Sequence, residues 1–536
     1  MKVCFHSKKI IFNEFSGVAS AAFVIAAFSL ASKILGLIRD RILAGYFGAG
    51  DTLDIYYAAF RIPDTIFNLL IVGALSASFV PILSDYFYKG DKKRAWEITN
   101  NILNIFLAAI AVISAVLVLT TPYLLKFVVP GWSGEKFQTT VILTQIMFLS
   151  PVFLSVSSIM SGVLQSTKRF VVYAAAPIFY NAGIIIGAVV FAKIFALGVY
   201  GLVLGVILGS ALHFFVQLPA VVSLGYGYRF YFDYQNPVIR KIFRIMVPRT
   251  LSLGVGQINL FVITSVASTL ATGSLTIFNF AANIQSIFFG MIGVSFGVAA
   301  FPTISAYFAS GQKEKFAAAF SRTFREIVFL IVPATAYLII FKAEIVRLIF
   351  GTGKFDYPAV ILTERTLEFL AIGLTAQALI SLVVRAFWAA GDTKTPFYAS
   401  LFGMVINAIA AVWFSRSLGV AGLAIAFSLN QIVSFIILVF YLRKKADSFD
   451  EKEILVSFGK VLGATLISGV IVWFLMGLFP LDLAKMSGSL ALVRLSLGSL
   501  AILAVFLFFS RLMKIKELFI FTDGIKRRLF TPTPTL

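Results

Sequence analysis

Apolar runs of roughly twenty residues, each able to cross a bilayer as a helix, recur along almost the whole of this chain. Inside lipid no water satisfies a backbone N–H or C=O, so such runs close their hydrogen bonds internally, as helices. Only 13% of the residues are charged and 60% are hydrophobic, with a mean hydropathy of +0.96; a water-soluble domain carries about 25% charged residues. The expectation is an all-α polytopic membrane protein with little room for a soluble domain. Hydropathy gives about fourteen spans, centred near Ala27, Ile66, Ile110, Ser150, Gly183, Leu208, Phe261, Met291, Ile331, Ala376, Val405, Phe427, Gly469 and Leu500. The first run, Val18 to Ile38, has no small-residue cleavage pattern and reads as a retained span.

The net charge of +21 lies in short loops, where membrane topology accounts for it better than nucleic acid does. One cysteine, Cys4, and two histidines, His6 and His213, exclude a disulfide scaffold and a Cys/His metal centre. Alternate loops are basic: Lys89 to Arg94, Lys168 and Arg169, Arg229 to Arg244, Lys313 to Arg325, Lys394, then Arg443 to Lys445. The positive-inside rule therefore places both termini in the cytoplasm.

The two halves of the chain repeat. SASFVPILSDYFYKGDKKRAW from Ser76 answers GVAAFPTISAYFASGQKEKFA from Gly297, setting Pro81 against Pro302. QSTKRFVVYAAAPIFYN from Gln165 answers GDTKTPFYASLFGMVIN from Gly391, setting Asn181 against Asn407, and GVYGL from Gly198 answers GVAGL from Gly419. Three matches in the same order, 221 to 226 residues apart, define two six-span repeats of parallel orientation, expected to enclose a polar space within the membrane. The lobes are 1–228 and 229–446; 447–536 holds two further spans and a basic tail.

Polar residues inside the spans mark the working surface, because a charge facing lipid is costly and turns to protein or a wet cavity. In the second span Asp54, Arg61, Asp64 and Asn68 share one helix face, with Pro63 and Gly73 able to bend it. The first span lines up Ser32, Lys33, Gly36, Arg39 and Asp40. Arg249 and Gln257 in the seventh span, Asn283 in the eighth and Glu368 in the tenth add further polar groups. Lysines and arginines with few acids, between low-dielectric walls, suit an anionic headgroup such as a pyrophosphate. Lys33, Arg39, Arg61, Arg249, Asn68 and Asn283 are the expected substrate ligands; Ser32, Gly36, Asp40, Asp54, Asp64, Pro63, Gly73, Gln257 and Glu368 are supporting or gating residues. No Walker A sequence, HExxH or nucleophile elbow occurs, so no covalent chemistry and no cofactor are expected. Energy then comes from the membrane potential or a monovalent cation.

These residues resemble the MviN family of bacterial peptidoglycan lipid II flippases. The resemblance is carried by SKILGLIRDRILAGYFGAG from Ser32, TLDIYYAAF from Thr52, FRIPD from Phe60, GALSASFVPILSDY from Gly73, GVSFGVAAFPTIS from Gly293 and GDTKTP from Gly391. It implies a relative of the multidrug and polysaccharide exporters, two six-span bundles forming a V-shaped central cavity plus two C-terminal spans, moving undecaprenyl-pyrophosphate-linked peptidoglycan precursor across the cytoplasmic membrane by alternating access. The family's first-span basic position falls on Lys33, its Arg-Asp pair on Arg39 and Asp40, and its second-span acid on Asp54. The chain departs from the family at Phe67 and Asn68, where an arginine pair is usual, at Val72 in place of a glutamate, and at Asn283 in place of an arginine. Arg249 is an added cation. No acid occurs within Leu251 to Leu270, which argues against a sodium site there.

The expected partners are an anionic polyprenyl-pyrophosphate lipid, membrane lipids and cell-wall synthesis proteins, with the chain acting as a monomer. Two other functions stay open at this point: export of another polyprenyl-linked glycan or small amphipathic substrate, and a non-transporting membrane scaffold for cell-wall synthesis.

Overall fold

The computed structural model describes residues 18–69, 75–445, 450–478 and 488–530. Gly73 and Val72 lie outside them, and so does the side chain of Arg249, whose backbone alone is described. Among the described residues all regular structure is helical. The chain divides into two compact units, Met1–Thr276 and Ile277–Leu536.

The first unit contains α1 (Val18–Phe47), α2 (Asp51–Phe67), α3 (Leu75–Tyr88), α4 (Lys92–Val128), α5 (Gly134–Met147), α6 (Leu149–Ser166), α7 (Phe170–Ile186), α8 (Gly198–Phe215), α9 (Leu218–Ser223) and α10 (Pro237–Ser268). After its Ser274 start, α11 (Ser274–Phe288) leads into the second unit, with α12 (Ser295–Ala309), α13 (Lys313–Ile340), α14 (Lys342–Phe350), α15 (Tyr357–Ala389), α16 (Lys394–Leu418), α17 (Val420–Lys445), α18 (Glu451–Gly477), α19 (Gly488–Leu512) and α20 (Lys516–Phe530). π-Helical turns, Gly187–Ile194 and Phe289–Val294, extend α7 and join α11 to α12.

Eleven helical segments among the described residues are long and apolar enough to cross a membrane, which makes this a multi-pass membrane protein. The helices at the other three expected centres are α1, α2 and α10, and each carries four charged residues. Those charges include most of the expected ligands.

The repeat seen in sequence returns as local geometry. After α3, Gly90 (φ +76°) donates to Phe87 and Asp91 to Tyr86; after α12, Gly311 (φ +70°) donates to Phe308 and Gln312 to Tyr307. Both are the same helix-ending closure, which needs a left-handed residue and so favours glycine. Gly198 and Gly419, at φ +54° and +57°, open α8 and α17 in the same paired way.

Within lipid, apolar surface gains little from leaving a medium as apolar as itself, so helix pairs rely on close approach. In the first unit α7 and α8 cross backbone to backbone. A Cβ built on Gly183 would lie 2.3 Å from Gly209 Cα, and one on Gly187 would lie 2.3 Å from Gly205 Cα. Beside this crossing, α6 and α8 are joined by a seam of small polar groups. Ser150 bonds Ser210 at 2.6 Å, Ser157 meets His213 Nδ1 at 2.6 Å, and Ser161 donates to Gln217 at 2.8 Å. Where α3, α4, α6 and α10 meet, Phe79, Ile102, Phe106, Ile159 and Ile242 form the apolar core, with Phe79 seated on Gly162.

At the first turns of α4 three buried asparagines hold the segment leading to α10. Asn101 both donates to Asp233 O and accepts from Asp233 N, each at 2.8 Å; Asn100 donates to Gly227 O at 3.2 Å and Asn104 to Tyr231 O at 3.0 Å. Tyr226 and Tyr228 return hydrogen bonds to the Asn100 and Asn104 side-chain oxygens. This segment is not a helix, so its backbone groups need such partners.

Candidate functional site

The polar face of α1 meets α7 at a single asparagine. Arg39 donates twice to Asp40 Oδ1, from Nε at 2.9 Å and Nη2 at 2.7 Å, and once from Nη1 to Asn181 Oδ1 at 3.0 Å. Asn181 in turn donates toward Ser32 Oγ at 3.3 Å and to the Pro177 carbonyl at 3.1 Å. Gly36 lies beside this contact: a Cβ there would meet Asn181 Oδ1 at 3.9 Å, ordinary van der Waals distance. Asp40 is buried while the Arg39 side chain keeps 20% exposure. The structure therefore brings Ser32, Gly36, Arg39 and Asp40 together, and places Lys33 half-buried beside Ser32 on the same helix.

A second cluster joins α2 to α10. Arg61 Nε donates to Thr264 Oγ1 at 3.0 Å, and Thr264, fully buried, passes its own proton to Leu260 O. One turn along, Thr65 bonds Arg61 O at 2.8 Å and Gln257 Oε1 at 3.3 Å. Gln257 thus joins Arg61 and Thr65. Asp64 accepts from Asn68 at 2.9 Å on the same helix, and with Phe60, Pro63 and Phe67 it borders a narrow cleft against Met147 and Pro151. A guanidinium carries five N–H groups, so the bonds of Arg39 and Arg61 orient each side chain and leave donors for a ligand.

Asp54 stands apart from both clusters. It is 3% exposed and accepts from Gly273 N at 2.7 Å, Thr276 N at 2.9 Å and Thr276 Oγ1 at 2.7 Å. Lys136 approaches its Oδ2 to 4.0 Å while bonding Asp51 at 2.5 Å. These are the contacts of a carboxylate capping the first turn of α11, where free amides and the helix dipole favour a negative charge.

In the second unit Asn283 is half-buried on α11, and its carbonyl accepts from Ser286 Oγ at 2.8 Å. The neighbouring Gln285 reaches Leu370 O at 2.8 Å and ties α11 to α15. Glu368 pairs with Lys342 at the start of α14. Arg385 folds back on Ser381, and a Cβ on Gly297 would come within 3.0 Å of its Nη1.

Sequence reasoning missed several polar partners. Thr264 is one threonine in an apolar run and gives no signal by itself. Asn181 was visible only as a repeat position. Glu344 and Arg494, joined at 3.0 Å between α14 and α19, were also unmarked.

Arginines held by polar partners inside an all-helical, multi-pass bundle are a pattern of membrane transporters. The fold agrees with that class. It matches a solved lipid II flippase MurJ in an inward closed conformation with a TM-score of 0.75 at 23% identity, covering 91% of this chain and 99% of that one. It also matches an inward-facing MATE family multidrug resistance transporter of the MOP superfamily, with a TM-score of 0.67 at 15% identity over 80% of this chain and 98% of that one. At these identities the likeness is one of fold.

The sequence goes further. The family model described as lipid II flippase MurJ matches residues 43–493, and the chain belongs to that family. A lipid II flippase MurJ from Burkholderia cenocepacia is 29% identical over 460 residues, covering 84% of this chain and 89% of the relative. A protein named probable lipid II flippase MurJ from Rickettsia prowazekii is 27% identical over 492 residues, covering 91% and 95%.

Proposed function

We propose that this chain flips lipid II, the undecaprenyl-pyrophosphate-linked peptidoglycan precursor, from the inner to the outer leaflet of the bacterial cytoplasmic membrane by alternating access. The observation that carries this reading is the family match over 43–493, which spans Asp54, Arg61, Asn68, Arg249, Asn283 and Glu368. The relatives bear the flippase name along nearly their whole length. The chain works without covalent chemistry or a resident cofactor, as a monomer with both termini in the cytoplasm. Charge movement by an empty, cationic carrier couples it to the membrane potential or to a monovalent cation.

Lys33, Arg39, Arg61 and Arg249 hold the pyrophosphate, with Asn68 and Asn283 donating to its remaining oxygens. Asp40 and Asn181 fix the Arg39 guanidinium in one orientation, which lowers the entropy lost when a phosphate docks. Asp64 lies one turn from Arg61 and competes with the ligand for it, so binding is strong enough to load and weak enough to release. The polyprenyl tail stays in a groove toward the membrane. Such a groove keeps the tail in the hydrocarbon while the headgroup crosses.

The test is reconstitution in liposomes carrying lipid II or other polyprenyl-pyrophosphate lipids, with and without an imposed voltage. Lipid II is translocated by the intact chain and not by the Lys33→Ala, Arg249→Ala double variant, which remains folded. Full activity of that variant removes both residues from the site. Transport of a lipophilic cation instead marks a drug exporter. Rescue of flippase-depleted cells by a transport-dead variant marks a scaffold.

A further inference from the structure

At the rim of the second unit, where α18 enters the membrane and the turn after α19 opens α20, lies a cleft of about 670 Å³ that the transport reading does not use. Its lining holds four lysines, Lys452, Lys460, Lys514 and Lys516, against three carboxylates. The carboxylates are already committed. Asp450 caps α18 by accepting from Glu453 N at 3.2 Å. Glu453 pairs with Arg325 at 2.6 Å and with Lys516 at 2.6 Å. Glu517, 3% exposed, pairs with Arg325 at 2.9 Å. Counting Arg325, the cluster has five cations for three anions, and it faces an opening bounded by the first turns of two long helices.

The second observation is Ser457. It lines the cleft, is 93% buried, and its Oγ has no hydrogen-bond partner among the described residues. Ser468, on the same helix, returns its hydroxyl to the Ala464 carbonyl four residues earlier. Ser457 does not, which leaves a buried donor beside surplus positive charge near the start of a helix, a combination that suits phosphate. Leu455 and Val456, 68% and 49% exposed, continue the α18 surface toward its apolar run, so the cleft sits at the level of lipid headgroups. Lys514, at φ +52°, makes the turn that brings the start of α20 back against α18.

We propose that this cleft binds a phosphate group, carried by an anionic phospholipid headgroup or by a free phosphate ion. It is separate from the transport site and holds whether or not lipid II is the cargo. Full-length protein in detergent, titrated with dioleoyl phosphatidylglycerol or dioleoyl phosphatidylcholine and read by native mass spectrometry, tests it. Phosphatidylglycerol binds the wild type in preference to phosphatidylcholine. The Lys460→Gln, Lys514→Gln double variant loses about thirtyfold in phosphatidylglycerol affinity, while Lys89→Gln, on a different loop, loses nothing. Ser457→Ala, which needs no charge change and stays folded, weakens binding in the same direction. Displacement of the lipid by inorganic phosphate assigns the site to the phosphate group alone; retention of the lipid assigns it to the whole headgroup. Equal binding of both lipids, or undiminished phosphatidylglycerol affinity in the double variant and in Ser457→Ala, overturns the proposal.

Discussion

Replacing Asp54 isolates one buried carboxylate whose contacts are all defined. It accepts three hydrogen bonds, from Gly273 N, Thr276 N and Thr276 Oγ1, at 2.7 to 2.9 Å. The strand of chain it grips has little room to adjust: Gly273 is at φ +88°, and a Cβ there would stand 2.5 Å from Ala49 O. Hydrogen bonds to a charged group are each worth about 1.5–3 kcal/mol. They share one acceptor and so do not add, which puts the local cost of Asp54→Ala at roughly 3–5 kcal/mol. Asp54→Asn keeps the shape but turns one edge of the carboxylate into a donor facing another donor, for roughly 1.5–3 kcal/mol. Hydrogen–deuterium exchange of the peptide covering residues 270–279 reads this directly, since about 1.4 kcal/mol is tenfold in the opening equilibrium. Exchange at residues 273 and 276 accelerates by about a hundredfold or more in Asp54→Ala and by at least about tenfold in Asp54→Asn. Exchange within twofold of wild type in the alanine variant would refute the assignment of Asp54 as the cap of α11.

Three further outcomes follow from the geometry. Gly187→Leu drives a side chain into the Gly205 backbone, so α7 and α8 separate and the unfolding temperature in detergent falls, whereas Gly227→Leu, in open space, leaves it unchanged. Arg494→Ala strands the buried Glu344 and costs about 3–5 kcal/mol, while the double change Glu344→Gln, Arg494→Met recovers most of it in thermal unfolding. Burial pushes the Asp392 carboxyl up, but hydrogen bonds from Lys445 and from the Thr395 amide and hydroxyl outweigh it and hold it at about 2. A carboxyl depressed in the folded state stabilises above its ordinary value and loses that contribution as pH falls through its folded value. Asp392→Asn therefore lowers stability at pH 6, by no more than about 2 kcal/mol, and the gap to wild type closes between pH 4 and pH 2.

How much of this was legible depended on whether a residue's signal was local. Helix content followed from length and hydropathy, because lipid leaves the backbone no other local solution. The paired turns at Gly90 and Gly311 were legible because a left-handed residue needs glycine whatever surrounds it. Ser32, Gly36, Arg39 and Asp40 could be grouped because one helix face carries them all. Their partner Asn181 lies 142 residues beyond Arg39, and no spacing rule reaches that far. Thr264 and Ser457 matter through what stands opposite them, which is a property of packing. The glycines at 201, 205 and 209 did carry a four-residue spacing typical of close helix crossings, and it was overlooked within an apolar run.

The three asparagines at the start of α4 grip main-chain atoms from Gly227 to Asp233, and Tyr226 and Tyr228 answer with side chains. The route of that segment is thus dictated by its neighbour and not by its own outward residues. Phe230, Phe232 and Tyr234, all exposed, can be exchanged for labels or cross-linkers without rerouting the chain. Few stretches of a membrane protein offer an observer so fixed a place to stand.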